Sequence, residues 1–186
     1  MIELILGGAR SGKSRLAESR LKNSANEHKK NIIYVATATA QDNEMAERIV
    51  QHQHRRPREW LLVEEPVHLA DVLAEHNQTN NIILIECLTL WLSNLLCHED
   101  SQAERLLWAT ERQKFIQQLQ NSQADIILVS NETGLGVVPM GELSRRFVDE
   151  AGWLHQELAQ ISDAVTLVVA GLEQVLKSSS PVAHGN

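Results

Sequence analysis

No apolar run in this chain approaches the roughly 18 to 20 residues that a membrane helix requires, so no membrane span is expected. Basic residues are not in excess either. Lys and Arg number 17 against 24 Asp and Glu, a formal net charge of -7 with a pI of about 5.6. That balance argues against a general nucleic-acid partner, because phosphate backbones attract basic faces. Cysteine is scarce: Cys87 and Cys97 are the only two. In a chain of intracellular character they read as free thiols rather than a staple. The N-terminus, MIELILGGARSGKS, lacks a basic leader region and a small-residue cleavage site. It runs straight into a loop motif, so no signal peptide is read and the cytoplasm is the expected compartment. Internal repeats and linkers are missing too. What is present is ordinary for a globular protein, 43% hydrophobic and 22% charged. One domain over residues 1–177 is expected, large enough to bury a core. The small, polar tail SSSPVAHGN (178–186) is expected to fray.

Several short apolar runs lack strict alternation: IELIL (2–6), NIIYVA (31–36), IILIE (82–86), DIILVS (125–130) and AVTLVVA (164–170). Runs of this length, rich in Ile and Val, fit strands buried on both faces of a parallel sheet. Helical patterns lie between them. Residues 13–22 follow a Gly-rich loop, and residues 43–53 place Met45, Ile49 and His52 at helical spacing. A segment from Pro66 to about Glu75 begins with a residue suited to a first helical turn. Residues 88–97 are strongly apolar and 102–120 read as a long amphipathic helix. From 141 to 161, Leu143, Phe147, Ala151, Leu154, Leu158 and Ile161 draw one buried face. Strands alternating with helices imply right-handed crossovers and an α/β three-layer sandwich around a mainly parallel sheet.

Residues 7–14, GGARSGKS, match the phosphate-loop pattern G-x-x-x-x-G-K-[ST] in full. They follow an expected strand and precede an expected helix, the context that separates this motif from a chance Gly-rich turn. Gly7, Gly8 and Gly12 let the backbone fold around phosphate oxygens. Successive N–H groups and the positive helix end then face the anion. Lys13 is expected to reach the outer phosphates and the Ser14 hydroxyl to bind Mg²⁺. A P-loop NTPase fold of RecA-like type is the expected class. Such loops work with an acidic residue at the end of a neighbouring strand, and Glu86 ends the third apolar run. The bland alternative for Glu86 is a carboxylate capping the helix over 88–97.

The stretch EMAERIVQHQHRRP (44–57) sets His52 and His54 beside Arg55 and Arg56. Four readings stand open. The cluster is a solvated basic face; or the two histidines bind metal, although the H-x-H spacing turns their rings apart and no Cys or carboxylate pattern completes a set. Or the arginines grip phosphate. Or an imidazole attacks phosphorus and forms a covalent phosphoramidate, with arginines neutralising charge at the reacting centre.

The segments GGARSGKSRLAE, DNEMAERIVQHQHRRPREWLLVEEP, LIECLTLWLSNLL, VSNETGLGVVP and LSRRFVDEAGWLHQELA follow in this order. Together they resemble the bifunctional adenosylcobinamide kinase / adenosylcobinamide-phosphate guanylyltransferase family of cobalamin biosynthesis, over about residues 2 to 176. The phosphate loop alone is generic. The E-M-x-x-R-I-x-x-H-x-x-x-R-P and N-E-x-G-x-G-x-V-P patterns are far more specific.

The resemblance implies two activities. A nucleoside triphosphate, GTP or ATP, phosphorylates the aminopropanol hydroxyl of adenosylcobinamide. GTP then gives GMP to that phosphate through a guanylyl-histidine, releasing pyrophosphate and yielding adenosylcobinamide-GDP. By position the implied nucleophile is His52, not His54. The implied nucleotide site takes in Gly7, Gly8, Ala9, Arg10, Ser11, Gly12, Lys13 and Ser14, then Ala36, Thr37 and Ala38. Gln53, His54, Arg55, Arg56, Glu64 and Glu86 complete it. Mg²⁺ would be held by Ser14 and Glu86, directly or through water. A homotrimer is implied, with the corrinoid between subunits; Trp and Leu residues of 88–97 and 102–108 would serve that contact or belong to the core.

The loop NETGLGVVP (131–139) reads as a contact for substrate or a neighbouring subunit, or as a plain turn. Its G-x-G makes no dinucleotide fingerprint. Near 145–156 the chain departs from the family pattern R-x-F-R-D-x-A-G-R-x-N-Q. Val148, Trp153 and His155 stand where that pattern has Arg, Arg and Asn, while Asp149 and Gly152 are kept. Charge and a side-chain amide are lost at those positions. Two other classes stay open: a kinase of an unrelated small molecule in which His52 is incidental, and a nucleotide-binding regulator without catalysis.

Overall fold

Side chains alternate across a strand, so a continuous apolar run supplies two cores at once. A computed structural model of the chain describes residues 1–38, 57, 59–96 and 102–178. In it the runs form β1 (Ile2–Gly7), β2 (Asn31–Ala36), β4 (Asn81–Glu86), β5 (Asp125–Asn131) and β6 (Ala164–Val169). Two further strands, β3 (Leu61–Glu64) and β7 (Leu172–Lys177), complete one seven-stranded sheet of order β3-β2-β4-β5-β1-β6-β7. All neighbours pair in parallel except β7, which runs antiparallel to β6. The described helices are α1 (Lys13–His28), α2 (Leu69–Glu75), α3 (Leu88–Leu96), α4 (Gln102–Gln120) and α5 (Glu142–Ile161).

The two faces sort by alternation. Leu4, Leu6, Ile83, Ile85, Ile126 and Leu128 pack with apolar residues of α2 to α5. Ile5, Ile82, Leu84, Ile127 and Val129 pack with Ala17, Leu21 and Ala25 of α1 and with Trp60. Helices therefore cover both faces, the three-layer arrangement expected of the pattern. On the broader side Trp91 is fully buried, its ring 5.2 Å from Trp108 and 4.9 Å from Phe115. The indole N–H of Trp91 donates to the Val67 carbonyl at 2.7 Å, and that of Trp108 to Glu150 at 2.7 Å. These tryptophans are core and not exposed contact residues; on the same stretch Leu106 and Leu107 are the exposed ones.

Other differences from the sequence reading have local causes. β3 and β7 are edge strands with mostly exposed side chains, so they carry no apolar run to detect. α1 continues past Lys22 through polar NSANEH, because Ala25 still reaches the core; it stops at Lys29, which turns left-handed at φ 52°. α2 starts at Leu69 rather than Pro66, because the Glu65 carboxylate accepts the N–H groups of Val67 and His68, each at 2.8 Å, and fixes a turn first. The helix expected over 43–53, Cys97 and all of the tail but Ser178 lie outside the described residues. No helix among the described residues is long and apolar enough to cross a membrane.

Candidate nucleotide site

The carboxyl ends of the parallel strands lie along one edge, where open α/β sheets bind ligands. At the end of β1 the loop turns into α1 through Arg10 at φ 57° and Gly12 at φ 100°. Left-handed backbone at Gly12 carries no side-chain penalty. Gly7 is needed for space: a Cβ there would lie 2.5 Å from Ser11 Oγ and 2.6 Å from the Val168 carbonyl oxygen. The loop is pinned from within and without. Ser11 N–H donates to the Gly8 carbonyl at 3.2 Å, and Gly171 N–H donates to the Ser11 carbonyl at 2.8 Å. Gly8, Ala9 and Arg10 are exposed at its outer side. The Lys13 side chain folds back, its ammonium 3.2 Å from the Gly8 carbonyl oxygen, and the residue is buried.

Strand register aligns the other expected positions. Ala36 of β2 is level with Glu64 of β3 on one side and Glu86 of β4 on the other. The Ser14 hydroxyl donates to the Glu86 carboxylate, joining α1 to the end of β4 across the end of β5. Thr37 is fully buried. Its hydroxyl both donates to the Cys87 carbonyl and accepts the Cys87 N–H, each at 2.8 Å, and its own N–H donates to the Glu86 carbonyl at 3.0 Å. The Asn94 amide donates to the carbonyls of Thr37 at 2.8 Å and Pro66 at 3.0 Å. Thr37 thus ties strand ends together, while the part-buried Ala38 follows it. Burial, seconded by the Glu86 charge, pushes the Cys87 thiol up, so Cys87 stays a neutral thiol. His52, Gln53, His54, Arg55 and Arg56 lie outside the described residues.

The set suits Mg²⁺. Ser14 and Glu86 present hard oxygen donors side by side, and the Ser11 hydroxyl is buried without a protein partner beside them in the loop. No group of three or more His, Cys, Asp or Glu residues that could cage a metal occurs among the described residues. Mg²⁺ at nucleotide sites needs no such cage, because phosphate oxygens and water fill most of its coordination.

Asn131 and Glu132 lie at the carboxyl end of β5, as the sequence places them. Glu132, one residue past that strand, donates its N–H to the Gly7 carbonyl at 3.1 Å. Behind it His155 is buried, its Nε2 2.7 Å from Ser130 Oγ. Burial pushes the His155 imidazole down, against the opposing charge of Glu132. Among the three departures from the family pattern His155 therefore faces inward, whereas Trp153 is half exposed. The apolar-polar pattern of α5 already put position 155 beside buried Leu154 and Leu158; nothing in the sequence pointed it at Ser130.

Comparison with known proteins adds the chemistry. Residues 3–176 match the family model described as cobinamide kinase / cobinamide phosphate guanyltransferase. The chain is 54% identical over 177 residues to the bifunctional adenosylcobalamin biosynthesis protein CobP of Pseudomonas aeruginosa, covering 95% of this chain and 98% of that one. It is 38% identical to the bifunctional adenosylcobalamin biosynthesis protein CobU of Escherichia coli, covering 95% of this chain and 100% of that one. Among solved structures it resembles an ATPase domain, with a TM-score of 0.50, 12% identity, 89% of this chain and 68% of that one. It also resembles the flagellar accessory protein FlaH of Methanocaldococcus jannaschii, with a TM-score of 0.52, 12% identity, 95% of this chain and 78% of that one. At such identity these two establish the fold, that of P-loop ATPases. The phosphate loop, its partner carboxylate at the end of β4 and a match running nearly end to end agree: the chain belongs to the cobinamide kinase / cobinamide phosphate guanyltransferase family.

Proposed function

We propose that one nucleotide site, built on Gly7 to Ser14 and completed by Glu86, serves both of the family's activities. The reading rests above all on the contact between Ser14 and Glu86 beside the phosphate loop in a chain of this family. In the kinase step GTP or ATP gives its γ-phosphoryl to the aminopropanol hydroxyl of adenosylcobinamide. Lys13 and the loop amides stabilise the transferred group, a matter of positioning and electrostatics. Lys13 must swing from the Gly8 carbonyl to do so. Ser14 and Glu86 would hold Mg²⁺, which supplies charge neutralisation between the outer phosphates when bound.

In the transferase step His52 attacks the α-phosphorus of GTP and pyrophosphate leaves. The phosphate of adenosylcobinamide phosphate then displaces His52 and forms adenosylcobinamide-GDP. Gln53, His54, Arg55 and Arg56 would flank the transferred guanylyl group, with Ala36, Thr37, Ala38 and Glu64 framing the nucleotide from the ends of β2 and β3. The two steps attack different phosphorus atoms, so nucleotide or His52 must shift between them.

Assembly as a homotrimer is part of this proposal, as are one domain over residues 1–177 and a cytoplasmic setting. Leu135, Val137, Val138 and Met140 are exposed at 82, 95, 72 and 96% on the loop after β5, apolar surface suited to a corrinoid or a neighbouring subunit. The molar mass in solution checks the assembly. The chemistry is tested by incubating the protein with Mg²⁺ and GTP labelled at the α-phosphate, then denaturing it. Acid-labile, alkali-stable label on wild type and His54→Ala but not on His52→Ala is expected. A folded protein that binds GTP and takes no label would remove the transferase half, leaving a kinase or a binding protein.

A further inference from the structure

Among the described residues, four carboxylates stand at the carboxyl ends of the parallel strands, and three are otherwise placed. Glu65 accepts the N–H groups of Val67 and His68. Glu86 takes the Ser14 hydroxyl. Glu64 ends β3, an edge strand separated from β1 by β2, β4 and β5. The fourth, Glu132, follows β5, the strand lying between Glu86 and the phosphate loop. Its backbone is bonded to Gly7, the first residue of that loop. Its side chain is 21% exposed, so it reaches water without being surrounded by it.

One hydrogen bond holds this side chain, and an imidazole lies near its other oxygen. Oε1 accepts the Gly134 N–H at 2.5 Å, and Oε2 faces Nδ1 of His155 at 3.9 Å. The imidazole is itself fixed by Ser130 Oγ at its other nitrogen, with Ser130 fully buried. A small closure would turn the 3.9 Å approach into a hydrogen bond, giving Ser130, His155 and Glu132 in a row. A polar row, once closed, orients its outermost member, as a second shell of hydrogen-bond partners does in other sites.

We propose that Glu132 accepts the proton of the acceptor hydroxyl in the phosphorylation step, and that His155, fixed by Ser130, positions it. The assignment rests on the kinase half of the function proposed above. The hydroxyl oxygen bonds to the terminal phosphorus of the nucleotide while the bond from that phosphorus to its bridging oxygen breaks. The electron pair of that bond leaves with the nucleoside diphosphate. The hydroxyl proton passes to a Glu132 oxygen and then to water. Nothing in the guanylyl transfer needs this group, because its acceptor is already an anion.

The experiment measures phosphorylation of adenosylcobinamide by wild type, Glu132→Gln, Glu132→Asp and Glu132→Ala, with nucleotide Kd and Tm alongside. Glu132→Gln is expected to lower kcat by about 10²- to 10⁴-fold, the usual worth of a positioned base, with Kd within about twofold. A kcat within about threefold of wild type would overturn the assignment. If Glu132→Gln does not fold, the aspartate and alanine variants decide. Glu132→Asp keeps a carboxylate and should exceed Glu132→Ala clearly; equal rates would overturn it. His155→Phe, which fills the buried site without ring nitrogens, should lower kcat about tenfold with the acceptor KM unmoved, an effect of orientation. An unchanged kcat would remove His155 from the proposal. Wild type that leaves adenosylcobinamide unphosphorylated would fail the underlying function itself, an outcome distinct from an active wild type matched by Glu132→Gln.

Discussion

The hydroxyl of Ser14, in the first turn of α1, donates to the carboxylate of Glu86, 72 residues later at the end of β4. The contact passes over the end of β5, so two separate strand–helix junctions share one point in space. Removing either partner should weaken the grip on Mg²⁺ more than on nucleotide. Glu86→Gln is expected to raise the Mg²⁺ concentration for half-maximal kinase rate by on the order of 10- to 100-fold. A Mg²⁺ titration of kcat checks it; an unmoved midpoint would place the metal elsewhere.

Gly7 and Gly8 are adjacent and should behave oppositely. A Cβ at Gly7 meets Ser11 Oγ and a backbone oxygen at under 3 Å, whereas one at Gly8 meets nothing within 4 Å. Gly7→Ala should destabilise the fold by about 1–3 kcal/mol, the cost of overpacking, and abolish tight nucleotide binding. Gly8→Ala should leave the Tm close to wild type. Thermal melts with and without GTP separate the two effects.

Thr37→Val removes a hydroxyl that satisfies two buried backbone groups of Cys87. The Cys87 carbonyl still accepts the Leu90 and Trp91 N–H groups at 3.1 Å, so the Cys87 N–H alone is left unpaired. That should cost about 1–3 kcal/mol of stability, and Thr37→Ser should recover most of it. Urea unfolding gives both values. A neutral Thr37→Val would mean that water replaces the hydroxyl.

Two groups make the fold acid-sensitive in separate windows. Burial holds His155 below its usual 6.5, with Glu132 opposing. The unfolded chain therefore takes that proton first, so stability is intact above about pH 6.5 and falls below it. Burial raises the Asp125 carboxyl, but Lys30 at 2.6 Å and the N-terminal ammonium at 2.9 Å prevail and hold it below 3.8. Its contribution is present above that value and is lost as pH falls further. His155→Asn should flatten the Tm–pH curve below about pH 6.5, and Asp125→Asn below about pH 4. Melts across the range distinguish them.

Much of this architecture could be read from the composition of short runs. Strands β1, β2, β4, β5 and β6 announce themselves because both faces are buried, and the phosphate loop because its spacing is fixed by the anion it wraps. Edge strands β3 and β7 escaped because exposed side chains obey no apolar pattern. Glu86 was legible as the end of an apolar run. Glu132 was legible at the carboxyl end of a strand, but its place beside the phosphate loop depends on β5 lying between β4 and β1, a fact of topology that spacing does not encode. The bond between Ser130 and His155 is of the same kind, made between residues 25 apart that only packing brings together.

The helix that begins at Lys13 also carries Ala17, Leu21 and Ala25, which pack against one face of the sheet. The phosphate loop is therefore the near end of a stiff rod and not a free flap. A nucleotide that draws Lys13 or Ser14 toward its phosphates pulls on a lever whose length is seated against Ile5, Leu84 and Val129. Any movement at the loop must then be either very small or shared by the whole of α1, and amide exchange along α1 should slow as a unit when nucleotide binds.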